Sequence, residues 1–419
     1  MSTLTLLTAR YLYTVTAAPI VDGAVVVEGE RILAVGAAAD LAARYPNARR
    51  VALGEAALLP AAINAHTHLE LTVLEGAIPP GLDMASWILA LLRARGALDD
   101  AAMRASAAEG ARQSLASGVV AVGDICASGQ SAGPIVESGL RGVVYYELLN
   151  GDPASADETL ARGQAQLARW RAEYPGALVR FGISLHAPYT VSAPLFERAS
   201  AWARTEGVPV SIHAAESPAE TQWLRDRSGP IRDTLYATLG RSADLEAAAQ
   251  RSPMRYLSER GALDAQTLLA HGVQVDADDL ALVAAAGAAV AHCPRSNTRL
   301  LNGRLPWAAY RAAGVRMALG TDSLASSPSL SIWDEAAYAA DLHTSAAESP
   351  TPADLLRLAT LGGADALGLA DDLGSLEAGK LARFATASLA ELDVARRASP
   401  DAALGAVMSG QVALRAVRL

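Results

Sequence analysis

From residue 58 onward the chain alternates short apolar runs with longer stretches whose hydrophobic residues recur at helical spacing. The runs fall at 58–65, 119–125, 142–148, 179–185, 208–213, 267–271, 288–292 and 315–321. Each has the length of a buried strand and lacks the polar alternation of a half-exposed one. Between them lie amphipathic or alanine-rich segments such as 101–117, 155–173, 194–206 and 276–286, which read as helices. Eight such units predict a (β/α)8 barrel enlarged by insertions. A doubly wound open sheet is the competing arrangement, and it gathers its ligand at one topological switch point.

The two ends of the chain have a different texture. Ala24–Glu28 and Ile32–Val35 flank Gly29-Glu30-Arg31, the pattern of a hairpin. Leu373–Lys380 and 403–419 return to turns and strands. The expected organisation is a small composite β-sandwich from residues 1–57 and 370–419, with the barrel over 58–369.

Composition narrows the function classes. Hydrophobic residues make up 51% of the chain and charged residues 19%, which is a globular balance. A net charge of −9 argues against a nucleic-acid groove, which needs clustered Lys and Arg. Cys126 and Cys293 form no CxxC pattern, so neither a disulfide framework nor a thiolate zinc module is expected, and a reducing cytoplasmic setting fits. The N-terminus shows no signal-peptide pattern. The longest apolar run, Leu280–Ala291, is short for a membrane span and is interrupted by Gly287. These readings leave a small-molecule substrate as the expected partner, with no nucleic acid and no membrane; a homodimer stays open.

Polar residues just past the apolar runs carry the chemistry. In a strand residues i and i+2 face the same side, so His66 and His68 in His66-Thr67-His68 can grip one ion. His213 (Ser-Ile-His) and Asp322 (Leu-Gly-Thr-Asp) end two further runs. Three imidazoles and a carboxylate suit one divalent ion, zinc with iron as the alternative, and leave a position for water. Bound water of this kind can fall from a pKa of about 15.7 to about 7. Lys380, the only lysine, lies beyond the barrel runs. No lysine is therefore available at a strand end to bridge a second metal, and a mononuclear centre is expected.

Glu216, three residues past His213, is placed to shuttle protons, against the alternative of a helix-capping glutamate. His271 can hold or deprotonate the attacking water, or serve as a core histidine. His186 is expected to contact substrate or to support a residue that does. Arg295, in a Pro-Arg-Ser-Asn loop after His292, can clamp an anionic group bidentately, or serve as an ion-pair partner. Cys293 and His292 neighbour each other in extended chain and face opposite sides, which argues against joint metal binding. His343 reads as an ordinary helix residue.

Asn64-Ala-His66-Thr-His68-Leu-Glu70, His213-Ala-Ala-Glu216, Ala270-His271-Gly272 and Gly320-Thr-Asp322 together resemble the amidohydrolase superfamily. His186-Ala-Pro-Tyr, His292-Cys-Pro-Arg-Ser-Asn and Asp322-Ser-Leu-Ala-Ser-Ser are similar to its nucleoside deaminase and chlorohydrolase branch, and within that to the aminodeoxyfutalosine deaminases of menaquinone biosynthesis. Ala85-Ser86-Trp87-Ile88 resembles their tryptophan-containing segment, which implies substrate contact by Trp87. The resemblance implies His66, His68, His213 and Asp322 as metal ligands. It further implies hydrolytic deamination of an aminopurine nucleoside, with water aligned by His271 and Asp322 and a ring nitrogen protonated by Glu216. The substrate of those relatives also carries a benzoate, for which Arg295 is the candidate partner by charge. Pro60-Ala61 and Ala382-Arg383 depart from the usual Pro-Gly and Ala-Asp, outside the metal constellation. Alternatives are deamination of S-adenosylhomocysteine, methylthioadenosine or guanine, triazine-type chlorohydrolysis, cyclic-amide opening, and a non-catalytic metal-binding scaffold.

Overall fold

A computed structural model of the chain describes residues 4–241, 250–344 and 349–417. Eight strands follow one another around one sheet in chain order. They are β1 (Ala62–Thr67), β2 (Val119–Cys126), β3 (Arg141–Leu148), β4 (Val179–Leu185), β5 (Val210–Ala214), β6 (Thr267–His271), β7 (Ala289–His292) and β8 (Arg316–Leu319). Pairing from β3 through β8 is parallel. The ring closes where Thr67 bridges Asp322, just past β8, and the Asp322 amide donates to the His66 carbonyl at 3.0 Å. First and last strands thus meet, which identifies a (β/α)8 barrel and rules out the open doubly wound sheet. Every residue of β1, β5, β6 and β7 is buried, so these strands read as unbroken apolar runs.

The expected run at 58–65 is divided between two sheets. Ala56–Pro60 pairs with Thr5–Leu12 and Phe384–Ser388, and β1 begins only at Ala62. The Ala61 amide donates to the Arg383 carbonyl, whereas the next amide, Ala62, donates to Gly118. One change of hydrogen-bond partner, directly after a proline without an N–H, moves the chain from one sheet to the other.

By contact density the chain forms two compact units. One comprises Met1–Ile63, Ser114–Ala121 and Ser331–Leu419; the other comprises Asn64–Gln113 and Val122–Leu330. In the first, strands from both ends of the chain join in a seven-stranded mixed sheet. Val25 and Val27 pack with Leu7, Leu58 and Phe384, while Ala24 and Val26 pack with Leu6 and Leu41. Both faces are covered, which explains three consecutive valines in place of alternation. The hairpin around Gly29 is present, with Gly29 at φ 59°.

Residues 403–408, expected as turn and strand, are instead helical, within Pro400–Met408. The Ser399 side chain accepts from the Ala402 amide, Pro400 opens the first turn, and Ala403, Leu404, Ala406 and Val407 are buried. His343 caps the C-terminus of the helix Ile332–Leu342 and is buried.

The barrel wall contains one very close approach. A Cβ on Gly142 would stand 1.9 Å from the Val122 carbonyl oxygen, and Gly142 has φ 129°. Gly142→Ala is expected to destabilise the fold by at least ~2 kcal/mol through overpacking and backbone strain. Thermal denaturation of the variant against the parent checks this.

Candidate active site

The C-terminal ends of β1, β5, β6 and β8 deliver the residues with metal-ligating chemistry to one place. Three non-glycine residues there have left-handed backbones: Ala215 at φ 51°, His271 at 75° and Asp322 at 59°. Such conformations persist only where neighbouring bonds hold them. The Ala215 carbonyl accepts from Val273 and Gln274 at 2.8 and 2.7 Å, and Asp322 is tied to His66 as above. Asn64 and Thr321 brace the same seam, with Asn64 Nδ2 donating to Thr321 Oγ1 at 2.7 Å.

The ligand atoms converge. His68 Nε2 lies 3.3 Å from His213 Nε2 and 3.3 Å from Asp322 Oδ1. His66 Nε2 lies 3.8 Å from Asp322 Oδ1, and both ring nitrogens of His66 are buried without a hydrogen-bond partner. His213 Nδ1 donates to the His186 carbonyl at 3.0 Å, which turns the lone pair of Nε2 toward the cluster. Burial pushes His66, His68 and His213 below the ordinary imidazole range, so their nitrogens face one another as lone pairs. Burial would raise Asp322, yet its carboxyl, bonded by the Ser296 hydroxyl, is held down to about 2, so a carboxylate stands among them. Lone pairs crowded onto a carboxylate need a cation between them. Ligands held tetrahedrally at ~2.0–2.1 Å from one ion stand roughly 3.3–3.4 Å apart, close to the observed spacings. The residues present therefore fit a divalent metal. Asp322 Oδ2 accepts from Ser296 and Ser326, each at 2.7 Å, which leaves Oδ1 directed at the histidines.

Glu216 and His271 form a second pair beside this cluster, with Oε1 3.5 Å from Nε2. His271 also stands within ligand range of His66 and His213. Its Nδ1 is bonded to Asn297 Oδ1 at 2.9 Å, so the ring proton sits there and Nε2 keeps its lone pair. Asn302 Nδ2 donates to Glu216 Oε1 at 3.1 Å. Burial pushes the Glu216 carboxyl up to about 7 despite the nearby His271. Glu220 holds the turn: its carboxylate accepts from the Ala215 and Glu216 amides at 3.0 and 2.8 Å.

Ser296, Asn297 and Asn302, which sequence reasoning did not single out, thus reach Asp322, His271 and Glu216 from one segment. Residues 294–297, read from the sequence as a loop, begin the helix Pro294–Arg299. Arg295 does not line the cavity. Its guanidinium donates to Ser329 Oγ and the Ser329 carbonyl, both at 3.0 Å, because the residues on either side of it along this helix occupy different faces. Asn297 ends the His292-Cys-Pro-Arg-Ser-Asn motif, but its contact with His271 emerges only from the fold.

His68, His213 and Asp322 line a cavity with an empty volume of about 1060 Å³, counting its open mouth. His186, Trp87, Glu216 and His271 line it. His186 Nδ1 is bonded to Thr190 Oγ1 at 2.6 Å, and burial lowers its pKa to about 3. The helix Met84–Arg95 turns Met84, Trp87, Ile88 and Leu91 toward the cavity as an apolar wall, its start capped by Asp83. Two arginines line the cavity, Arg95 and Arg241. Arg95 is paired with Glu70 at 3.4 Å. Arg241 has no ion-pair partner among the described residues and stands near enough to His186 to lower its basicity further.

The amidohydrolase family model matches residues 57–408, and a bacterial imidazolonepropionase-like composite domain matches residues 23–48. The chain belongs to the amidohydrolase family and is a hydrolase acting on carbon–nitrogen bonds. It is 38% identical over 371 residues to the aminodeoxyfutalosine deaminase of Deinococcus radiodurans, a match covering 87% of this chain and 85% of that protein. It is 31% identical to the 5-methylthioadenosine/S-adenosylhomocysteine deaminase of Syntrophobacter fumaroxidans, over 86% of this chain and 78% of that one. The zinc-bound crystal structure of an adenosine deaminase from Xanthomonas campestris superposes with a TM-score of 0.80 at 28% identity, covering 97% of this chain and 90% of the other.

Proposed function

We propose that this chain is a zinc-dependent hydrolytic deaminase of aminopurine nucleosides, with aminodeoxyfutalosine as its substrate. The observation that carries this reading is the convergence of His66, His68, His213 and Asp322 beside the Glu216–His271 pair. A divalent ion held by those four residues would supply an acidified water at neutral pH. His271 Nε2 is placed to take a proton from the water that adds to the amino-bearing ring carbon. Glu216, with Oε1 occupied by Asn302, carries its proton on the other oxygen and delivers it to the adjacent ring nitrogen. The carbon–nitrogen bond then breaks: the amine takes the proton held by His271 and leaves as ammonia, while the hydroxyl on the ring carbon returns its proton to Glu216 and becomes the ring carbonyl. Asp322, pinned through Oδ2, keeps its place throughout. His186 and Trp87 contact the substrate from the walls.

The anionic end of the substrate is assigned to Arg241 rather than Arg295, since only Arg241 lines the cavity. Arg241→Ala should raise KM for the carboxylate-bearing nucleoside by roughly 10–100-fold, the worth of one charge-assisted hydrogen-bond pair, and leave uncharged nucleosides unaffected. Arg295→Ala should leave both alone. Steady-state ammonia release across the two substrate types checks this. Loss of the carboxylate preference in Arg295→Ala instead would reverse the assignment, and no ammonia from any aminopurine nucleoside would remove the reading itself.

A further inference from the structure

Two imidazoles of the candidate site are aimed through their Nδ1 atoms, His213 by the His186 carbonyl and His271 by Asn297. Among the described residues no group is bonded to His68 Nδ1, so the direction of that ring depends on its backbone. His68 stands directly before the 3-10 helix Leu69–Leu74 and gives it no side-chain cap, because its imidazole faces His213 and Asp322. The first amides of such a helix have no partner within it. Asp124, near the end of β2, supplies one: its Oδ1 accepts from the Leu69 amide at 2.7 Å. Oδ2 is bonded to the Ser131 hydroxyl at 2.5 Å, and both residues are buried. The bond to Leu69 needs only an acceptor, which a carboxyl and a carboxylate both offer.

A second set of bonds runs the other way. Glu70, two residues past His68, is buried and reaches back to the loop that follows β2. Its Oε1 accepts from the Ala127 amide at 3.1 Å, and its Oε2 accepts from the Ser128 amide at 3.1 Å and the Ser128 hydroxyl at 2.6 Å. Arg95 pairs with the same carboxylate at 3.4 Å. The end of β2 and its loop thus hold the Leu69-Glu70 backbone from both sides. Well-packed apolar side chains would fill the same space without the desolvation cost, but they would not set a direction. A ligand atom that must be held to within about 0.5 Å requires that direction.

We propose that Asp124 and Glu70 are positioning residues for His68, holding its backbone so that Nε2 meets the ion. This rests on the metal-ligand role given to His68 above. The test measures zinc affinity of the full chain by competition with a chelating dye, the visible spectrum after loading with cobalt(II), and the thermal midpoint of the metal-free protein. Asp124→Leu removes the acceptor at similar volume and should weaken zinc binding by roughly 10–100-fold, with altered cobalt bands. Asp124→Asn keeps an acceptor oxygen for Leu69 and an amide for Ser131, so it should bind zinc as the parent does. Glu70→Gln has one acceptor oxygen where Glu70 uses two; it should weaken zinc by a similar roughly 10–100-fold, and it decides the matter if Asp124→Leu does not fold. A lower metal-free midpoint with unchanged zinc affinity and cobalt bands in Asp124→Leu or Glu70→Gln would mean a structural role and overturn the proposal. So would a loss in Asp124→Asn equal to that in Asp124→Leu, which would make charge rather than direction the operative property. A parent chain that binds no zinc would instead remove the metal reading, and the positioning role with it.

Discussion

Glu216→Gln should lower kcat on an aminopurine nucleoside by roughly 10²–10⁴-fold while the metal stays bound. Glutamine preserves the shape and can still meet Asn302, but it carries no transferable proton. The pH profile should change with it. Burial places the Glu216 carboxyl at about 7, above the ordinary carboxylate range. The protonated, donating form is therefore present below about 7 and is lost as pH rises through that value. The parent should show a falling basic limb in kcat/KM there, and Glu216→Gln should lack it. Steady-state rates from pH 5 to 9, with metal analysis of each sample, check both parts. Near-parental turnover in the glutamine variant would assign the proton shuttle elsewhere.

A larger loss is expected when the metal is removed or His213→Ala is made. Without the ion the nucleophile reverts to ordinary water, whose pKa is higher by about 8–9 units, and activity should fall by at least ~10⁴-fold. Stability should fall too. His66, His68 and His213 present lone pairs to one another and to Asp322 at 3.3–3.8 Å, an arrangement that an ion relieves. A metal that binds only the folded state adds about 4 kcal/mol at a thousandfold excess over Kd. Chelation should therefore lower the thermal midpoint, and a divalent ion should restore it. His213→Ala should show the low midpoint with or without added metal. A chelated protein with unchanged midpoint and rate would contradict the site.

The barrel and the polar cluster at its strand ends were legible because both follow from short-range rules. Buried parallel strands must read as apolar runs, and a site at strand ends must place polar residues directly after them. His66, His68, His213, His271 and Asp322 all stand out on that criterion. Less legible was whatever depends on contacts distant in sequence. Asn297 and Asn302 matter because the short helix after β7 and the residues just past it face His271 and Glu216, and amides carry no periodic signal. Arg295 drew notice as a cation beside a histidine, yet the helix turns it toward Ser329 and leaves Ser296 and Asn297 for the site. Arg241 looks like any surface charge until it is seen to line the cavity. The division of 58–65 escaped notice because a change of sheet at Ala61 leaves the apolar pattern unbroken.

The most direct measurement is ammonia release from a 6-aminopurine ribonucleoside as the metal-free enzyme is titrated with zinc. The account predicts activity rising in proportion to zinc and levelling at one ion per chain, with the carboxylate-bearing nucleoside the better substrate. Saturation only at two ions, or full zinc occupancy without ammonia while a ring chloride or a cyclic amide is hydrolysed, would contradict it.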